Sequence, residues 1–455
     1  MTTLSKAQNT DISKTDKKVV GIFYHRYHNG GVERVISLHI PLFLSLGYRV
    51  VLFTEQSCPE KEYALPPEVI RVIVPNSYTQ GRAKVFLAAM QTYGVTVLCH
   101  HACLSPLLLF DLLLCHAAGI SCILICHGPM LTSMAIGANF PFNPPMVSML
   151  AHTVCTLSST EAYFYQQCGV NACYLPPPVV ALPDEPTDIS PSSSNRPVVI
   201  WIGRLSEEKN YKEALQIFKI ICEQQHNILC YIVGSEDNKE HKYVQNFINR
   251  NKLQDNIIHI PYTQYINQYY KSSTIHLLTS SFESFSMVIA EGKMHALPLV
   301  TYALPWLELL KENKGYISVQ PHDVKGAADA ILTILNDEQL QQRLSHEALE
   351  SIQPFLDYNL AGAWKELLES PQKIQPGVFQ GDSASKIQIL WKYIFSMYIE
   401  GHRKNSSEFS KEYIKKKLKS LPFINTLLPP ASRRRIFVRN ITKKLYNYIF
   451  KRNFS

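Results

Sequence analysis

Short apolar runs, each ending in a small or polar turn and followed by a stretch with apolar positions three and four apart, recur along the chain. Runs of this kind predict buried strands of a parallel sheet alternating with covering helices. Val19-Val20-Gly21-Ile22-Phe23-Tyr24 predicts the first strand, and a helical run closing at Gly47 precedes the second, Arg49–Thr54. Pro41 inside that run predicts a kink or a short break. Further apolar runs at Val69–Val74, Val95–Cys99 and Ile120–Cys126 continue the alternation, and Ser158 or Ser159 is a candidate helix N-cap. The segment 181–197 is rich in Pro, Asp and Ser and predicts a linker. The alternation then resumes at Val198–Ile202, Ile228–Gly234, Asn256–Tyr262, Ile275–Leu278 and Pro298–Tyr302, with helices from Val324 to about Glu369. The expected plan is α/β: two doubly wound parallel-sheet domains, Rossmann-like, at 18–180 and 198–370. A polar lead occupies 1–17, a second linker 371–385, and a basic helical tail 386–455.

Two glutamates stand eight apart in the strand–loop–helix–strand unit of 275–302. Glu283 falls in the loop at a strand's carboxyl end, where open α/β sheets bind ligands. Glu291 falls about two turns into the helix. Between them, the backbone N–H groups of Ser284, Phe285 and Ser286 form a helix start that suits an anion. Such a spacing alone also occurs on solvated helices; the surrounding Ser280-Ser281-Phe282-Glu283-Ser284-Phe285 and Leu297-Pro298-Leu299-Val300 give it meaning.

With those surroundings the stretch resembles the donor-site motif of retaining, nucleotide-sugar-dependent glycosyltransferases of the GT-B fold, family four, the group 1 glycosyltransferases. It departs from the family pattern in having Ser at 284 and 286 where Gly is usual, and Glu291-Gly292-Lys293-Met294-His295-Ala296 where Glu-Ala-Met-Ala-x-Gly is usual. Gly203-Arg204-Leu205-Ser206-Glu207-Glu208-Lys209-Asn210 resembles the family's second motif, in which Arg204 and Lys209 would meet the donor diphosphate. Gly30-Gly31 resembles the amino-terminal pattern whose glycines let the backbone approach that diphosphate.

The resemblance further implies that His127, at the end of a strand, contacts the donor sugar. A histidine capping a strand end is the plainer reading, and His100 and His101 are rivals. His25 and His28 line the first loop and could face the acceptor. Glu291 would hold the ribose hydroxyls, and Glu283 with the backbone of Ser284, Phe285 and Ser286 would position the sugar. The implied reaction moves a hexose or N-acetylhexosamine from a nucleotide diphosphate sugar, UDP-sugar foremost, to a glycan or lipid-linked glycan. It would serve cell-surface polysaccharide or lipopolysaccharide synthesis, with anomeric configuration retained. No cofactor is expected and no metal, since fixed cations take its place and the chain has no Asp-x-Asp pair. The alternative is a non-catalytic sugar-nucleotide-binding relative acting as a scaffold.

Charge adds one feature that the motifs do not explain. From 401 to 455, fifteen Lys and Arg face two Glu, a balance of +13; since the whole chain carries +8, residues 1–400 carry −5. The tail reads as a peripheral anchor on an anionic membrane surface. A solvated basic helix and a nucleic-acid contact are the other readings, and no nucleic-acid partner is expected, for want of a known module. Eleven cysteines without a Cys-x-x-Cys pair, and a lead without the apolar core of a signal peptide, point to reduced thiols and a cytoplasmic site.

Overall fold

The structure, a computed structural model, describes residues 18–371 except 29, 78–79, 129–146, 184–195, 235–237 and 264. The polar lead, most of the 181–197 linker and the whole basic tail lie outside the described residues.

The first sheet has seven parallel strands in the order β3-β2-β1-β4-β5-β6-β7. They are β1 (Val19–Phe23), β2 (Arg49–Thr54), β3 (Ile70–Ile73), β4 (Val95–His100), β5 (Ser121–Cys126), β6 (Thr153–Thr156) and β7 (Ala172–Tyr174). All five residues of β1 are buried, as a strand covered by helices on both faces requires. The helices are α1 (Gly31–Ser45), α2 (Arg82–Tyr93), α3 (Leu108–Ala118) and α4 (Ser159–Gln167). Of the kink or short break expected at Pro41, the break does not occur: helix α1 runs on through it. Ile36, Ile40 and Phe43 bury the same face against Val20, Ile22 and Val50, and that packing outweighs one missing backbone hydrogen bond.

The second sheet has six parallel strands in the order β10-β9-β8-β11-β12-β13. These are β8 (Val198–Ile202), β9 (Leu229–Val233), β10 (Ile257–Ile260), β11 (Ile275–Leu278), β12 (Leu299–Tyr302) and β13 (Tyr316–Val319). Its helices are α5 (Tyr211–Gln224), α6 (Asn238–Asn251), α7 (Asn267–Lys271), α8 (Met287–Met294), α9 (Val324–Asn336) and α10 (Glu338–Leu356). Helix α5 buries Tyr211, Ala214, Leu215, Phe218, Ile221 and Cys222, a three-four spacing that turns one face to the sheet. Asp323 and Asp337 start α9 and α10 by accepting from the N–H groups of Gly326 and Leu340.

In both sheets the strand order reverses beside the first strand, between β1 and β4 and between β8 and β11. Those crevices are where a doubly wound sheet receives ligands.

Helix α11 (Leu360–Glu369) returns to the first domain, and the tail 386–455 lies outside the described residues. Trp364, Leu367 and Leu368 belong to the first domain's core, with Phe43 and Leu175. The expected boundary at 370 therefore falls after a helix that already belongs to the opposite domain. Among the described residues no helix is long and apolar enough to cross a membrane.

Candidate active site

At the end of β8 the chain must turn against its neighbour with no room for a side chain. Gly203 N–H donates to Val233 O at 3.0 Å, and a Cβ on Gly234 would lie 1.9 Å from Gly203 O. The turn delivers Arg204, and a single 3-10 turn (Glu207–Lys209) delivers Lys209. Asn210, at φ 49°, starts α5, and its amide donates to Thr279 O and Ser281 Oγ, each at 2.8 Å. Thr279 Oγ1 in turn donates to Lys209 O at 2.8 Å and accepts from Trp201 Nε1 at 2.9 Å. The loop after β8 is thereby clamped to the loop after β11, on the two sides of the second domain's crevice.

The clamp brings the sequence-predicted residues together. Lys209 Nζ lies 2.6 Å from Glu283 Oε1, which also accepts from Ser280 Oγ at 2.8 Å. Trp306, buried, donates its Nε1–H to Glu283 O at 2.8 Å. Arg204 is held differently: its side chain is 71% exposed and pairs with Glu208 at 3.0 Å. Ser286 adopts φ 70° at the start of α8, which explains why Gly suits this position; its buried hydroxyl has no partner among the described residues. Phe285 is buried against Phe355. Its side chain anchors the loop, so only its backbone is available to a ligand.

Contacts from the first domain complete the site. Ser284 Oγ donates to His127 O at 2.5 Å, placing the end of β5 against the Glu283 loop. His127 stacks on His101 with an Nε2–Nδ1 separation of 2.7 Å. Burial lowers His127 to about 3 and His101 well below the usual imidazole range, so both rings are neutral at physiological pH. His101 is thus a direct neighbour of His127. His100 instead sits in a buried cluster with Asp111 and Arg82.

Glu291, 3% exposed, accepts from Tyr270 OH at 2.8 Å on one oxygen and from Arg34 of α1 on the other. Arg34 escaped the sequence reading, because its partner lies 257 residues away. The charged pair Glu33-Arg34, one residue beyond Gly30-Gly31, was its one visible signal. Glu33 folds over Gly30, where a Cβ would lie 2.4 Å from its Oε2, and Arg26 donates to Glu33 Oε1 at 3.0 Å. A carboxylate thus already sits at the start of α1, and it is Gly31, not Gly30, that faces open space.

The Gly292 departure has a local cause. A Cβ there would lie 2.6 Å from His276 Nδ1, so the buried imidazole fills the room of the alanine methyl.

Residues 184–351 match the sequence profile described as Glycosyl transferases group 1. The chain is 25% identical over 183 residues to the amylovoran biosynthesis glycosyltransferase AmsD of Erwinia amylovora, covering 40% of this chain and 50% of that one. It is 23% identical over 176 residues to the capsular polysaccharide biosynthesis glycosyltransferase CapM of Staphylococcus aureus, covering 37% and 44%. The chain therefore spans about half the length of the curated relatives it matches. Anabaena HepE, solved in complex with UDP-glucose, superposes with a TM-score of 0.62 at 16% identity, over 77% of this chain and 99% of that one. Two facing Rossmann-like domains of this kind are the GT-B fold. Over residues 184–351 the chain is similar to the group 1 glycosyl transferases.

Proposed function

We propose that the chain transfers a hexose or N-acetylhexosamine from a UDP-sugar to a glycan or lipid-linked glycan, with retention, in the making of a cell-surface polysaccharide. The observation that carries this reading is the meeting of Lys209, Glu283 and the His127 carbonyl segment at the mouth of the second domain's crevice. Support for the donor comes from HepE, solved with UDP-glucose, and for the pathway from CapM, which bears capsular polysaccharide biosynthesis in its name.

Each residue has a task that its chemistry fits. Arg204, exposed beside Glu208, and Lys209 neutralise the diphosphate as the bond from the anomeric carbon to its phosphate oxygen breaks. They take the part that a divalent cation plays elsewhere. Glu283, steered by Lys209, Ser280 and Trp306, accepts from donor-sugar hydroxyls, and the N–H groups of Ser284 to Ser286 face the phosphate. Gly31 leaves room for the diphosphate on the first-domain side. His127, neutral, offers a dipole to the cationic sugar without adding positive charge. The acceptor hydroxyl bonds to the anomeric carbon, and its proton passes to the leaving phosphate oxygen. The cytoplasmic face of the membrane suits such a donor, with the basic segment 401–455 on anionic lipid; that assignment rests on composition alone.

Thermal shift and turnover with UDP-, GDP- and ADP-sugars test the reading. UDP should stabilise the protein, a UDP-sugar should yield free UDP, and proton NMR of the product should report the donor's anomeric configuration. Lys209→Ala should lower turnover at least a hundredfold. Binding of UDP with no turnover of any sugar nucleotide would favour the scaffold alternative.

A further inference from the structure

The carboxylate proposed for the ribose is buried in the second domain, yet one of the two side chains that donate to it among the described residues comes from the first. Arg34 reaches from α1 to Glu291 Oε1, while Tyr270 OH of α7 holds Oε2 at 2.8 Å. His295 Nδ1 sits 2.7 Å from the Glu291 carbonyl, and its ring stacks on Tyr270 at 5.1 Å between centroids. His276 of β11 packs behind Gly292. Among the described residues that face Glu291, Arg34 brings the permanent charge; Tyr270 is held neutral, and burial lowers His276 to about 3.

We propose that Arg34 is a positioning residue of the donor site, holding Glu291 as the acceptor that a ribose diol needs, so that the nucleotide site is complete only when both domains contribute. The inference rests on Glu291 being the ribose ligand. A carboxylate has about four lone-pair positions. Arg34 and Tyr270 occupy one on each oxygen, leaving about two, enough for a pair of adjacent hydroxyls. A protonated carboxyl would instead present its own hydrogen and accept more weakly. Burial pushes the Glu291 carboxyl upward, and Arg34, then Tyr270, oppose that push. Without the guanidinium, the buried charge loses its counterion and the group takes up a proton.

Titration calorimetry with UDP from pH 6 to pH 8.5 tests this on the full chain. Arg34→Met keeps the stem and removes the charge; it should weaken UDP about tenfold at pH 6.5. Binding needs the deprotonated form, so the deficit should close as pH rises. Arg34→Lys should retain most of the affinity, and Glu291→Gln should bind weakly at every pH. Equal affinity of Arg34→Met and the wild type, or a deficit that does not change with pH, overturns the proposal. Glu291→Gln binding as tightly as the wild type removes the ribose assignment itself, as does a wild type that binds none of UDP, GDP and ADP. Should Arg34→Met not fold, infrared difference spectra of the wild type against Glu291→Gln at pH 6.5 decide the matter: an ionised Glu291 is expected, and a protonated one refutes the role of Arg34.

Discussion

Gly234 and Gly203 meet backbone to backbone at the ends of β9 and β8, and no side chain can be added between them. At φ 138°, Gly234 is in a region that L residues rarely adopt, and its Cβ would lie 1.9 Å from Gly203 O. Gly234→Ala should therefore destabilise the second domain by about 2–4 kcal/mol, read as a lower urea midpoint with an unchanged slope. Ser286 is the opposite case. It sits at φ 70° with a buried hydroxyl lacking a partner among the described residues. Ser286→Gly should raise stability by about 1 kcal/mol, from relief of left-handed strain and of the unpaired hydroxyl. A lower melting temperature for Ser286→Gly would mean that its hydroxyl has a partner after all. At this scale the sequence was most informative where one loop carries the chemistry. The glutamates at 283 and 291 and the cations at 204 and 209 were legible as candidates because each motif is local and sits at a strand's end. Arg34, Trp306 and the fit of His276 against Gly292 were not, because each role is defined by a partner that only the folded chain brings near.

Among the elements, α8 carries the least expected side chain. Lys293, 1% exposed, donates to Leu309 O at 2.7 Å, Ser351 Oγ at 2.6 Å and Lys314 O at 3.2 Å, tying α8 to the segment before β13 and to α10. Burial lowers the amine from its ordinary 10.5 to about 8, although Glu312 and Glu347 oppose the shift. Below pH 8 the group is charged in both folded and unfolded chains, so its contribution is constant. Between pH 8 and 10.5 the unfolded chain holds a proton that the folded one has released, so folding gains with rising pH. The unfolding free energy of the wild type relative to Lys293→Met should thus grow across that window by up to about 3 kcal/mol. A constant difference would place the ammonium in water. The strands with all-apolar cores, such as β1 and β8, were evident from their runs. The edge strands β7 and β13 escaped notice: β7 has three residues, and Tyr316-Ile317-Ser318-Val319 is only partly covered. Helix α11 was legible as a helix, but its destination was not. Trp364 is buried beside His39 and Phe43, with ring centroids at 4.8 and 4.9 Å, in the opposite domain.

At the scale of the whole molecule, the two sheets are joined by side chains that also build the site. Ser158 stands at the N-cap of α4, but its hydroxyl donates to Trp306 O at 3.0 Å instead of capping its own helix. The start of α4 is capped from across the crevice: Glu308 Oε1 accepts from Ser159 N–H at 2.5 Å, and Lys311 supports the same carboxylate at 2.6 Å. Trp306, two residues before Glu308, holds the Glu283 carbonyl. Domain pairing and the placement of Glu283 therefore share a single short segment. Glu308→Ala should leave the helix start uncapped at a cost of about 1 kcal/mol and enlarge the radius of gyration in small-angle scattering. Trp306→Phe should keep the packing but lose the hydrogen bond, lowering transfer about tenfold with UDP affinity unchanged. The two variants separate the two duties. If Trp306→Phe also expanded the particle, or if Glu308→Ala left its dimensions unaltered, the segment would not be the joint between closure and catalysis. The placement of Glu283 would then rest on the second domain alone, through Lys209 and Ser280.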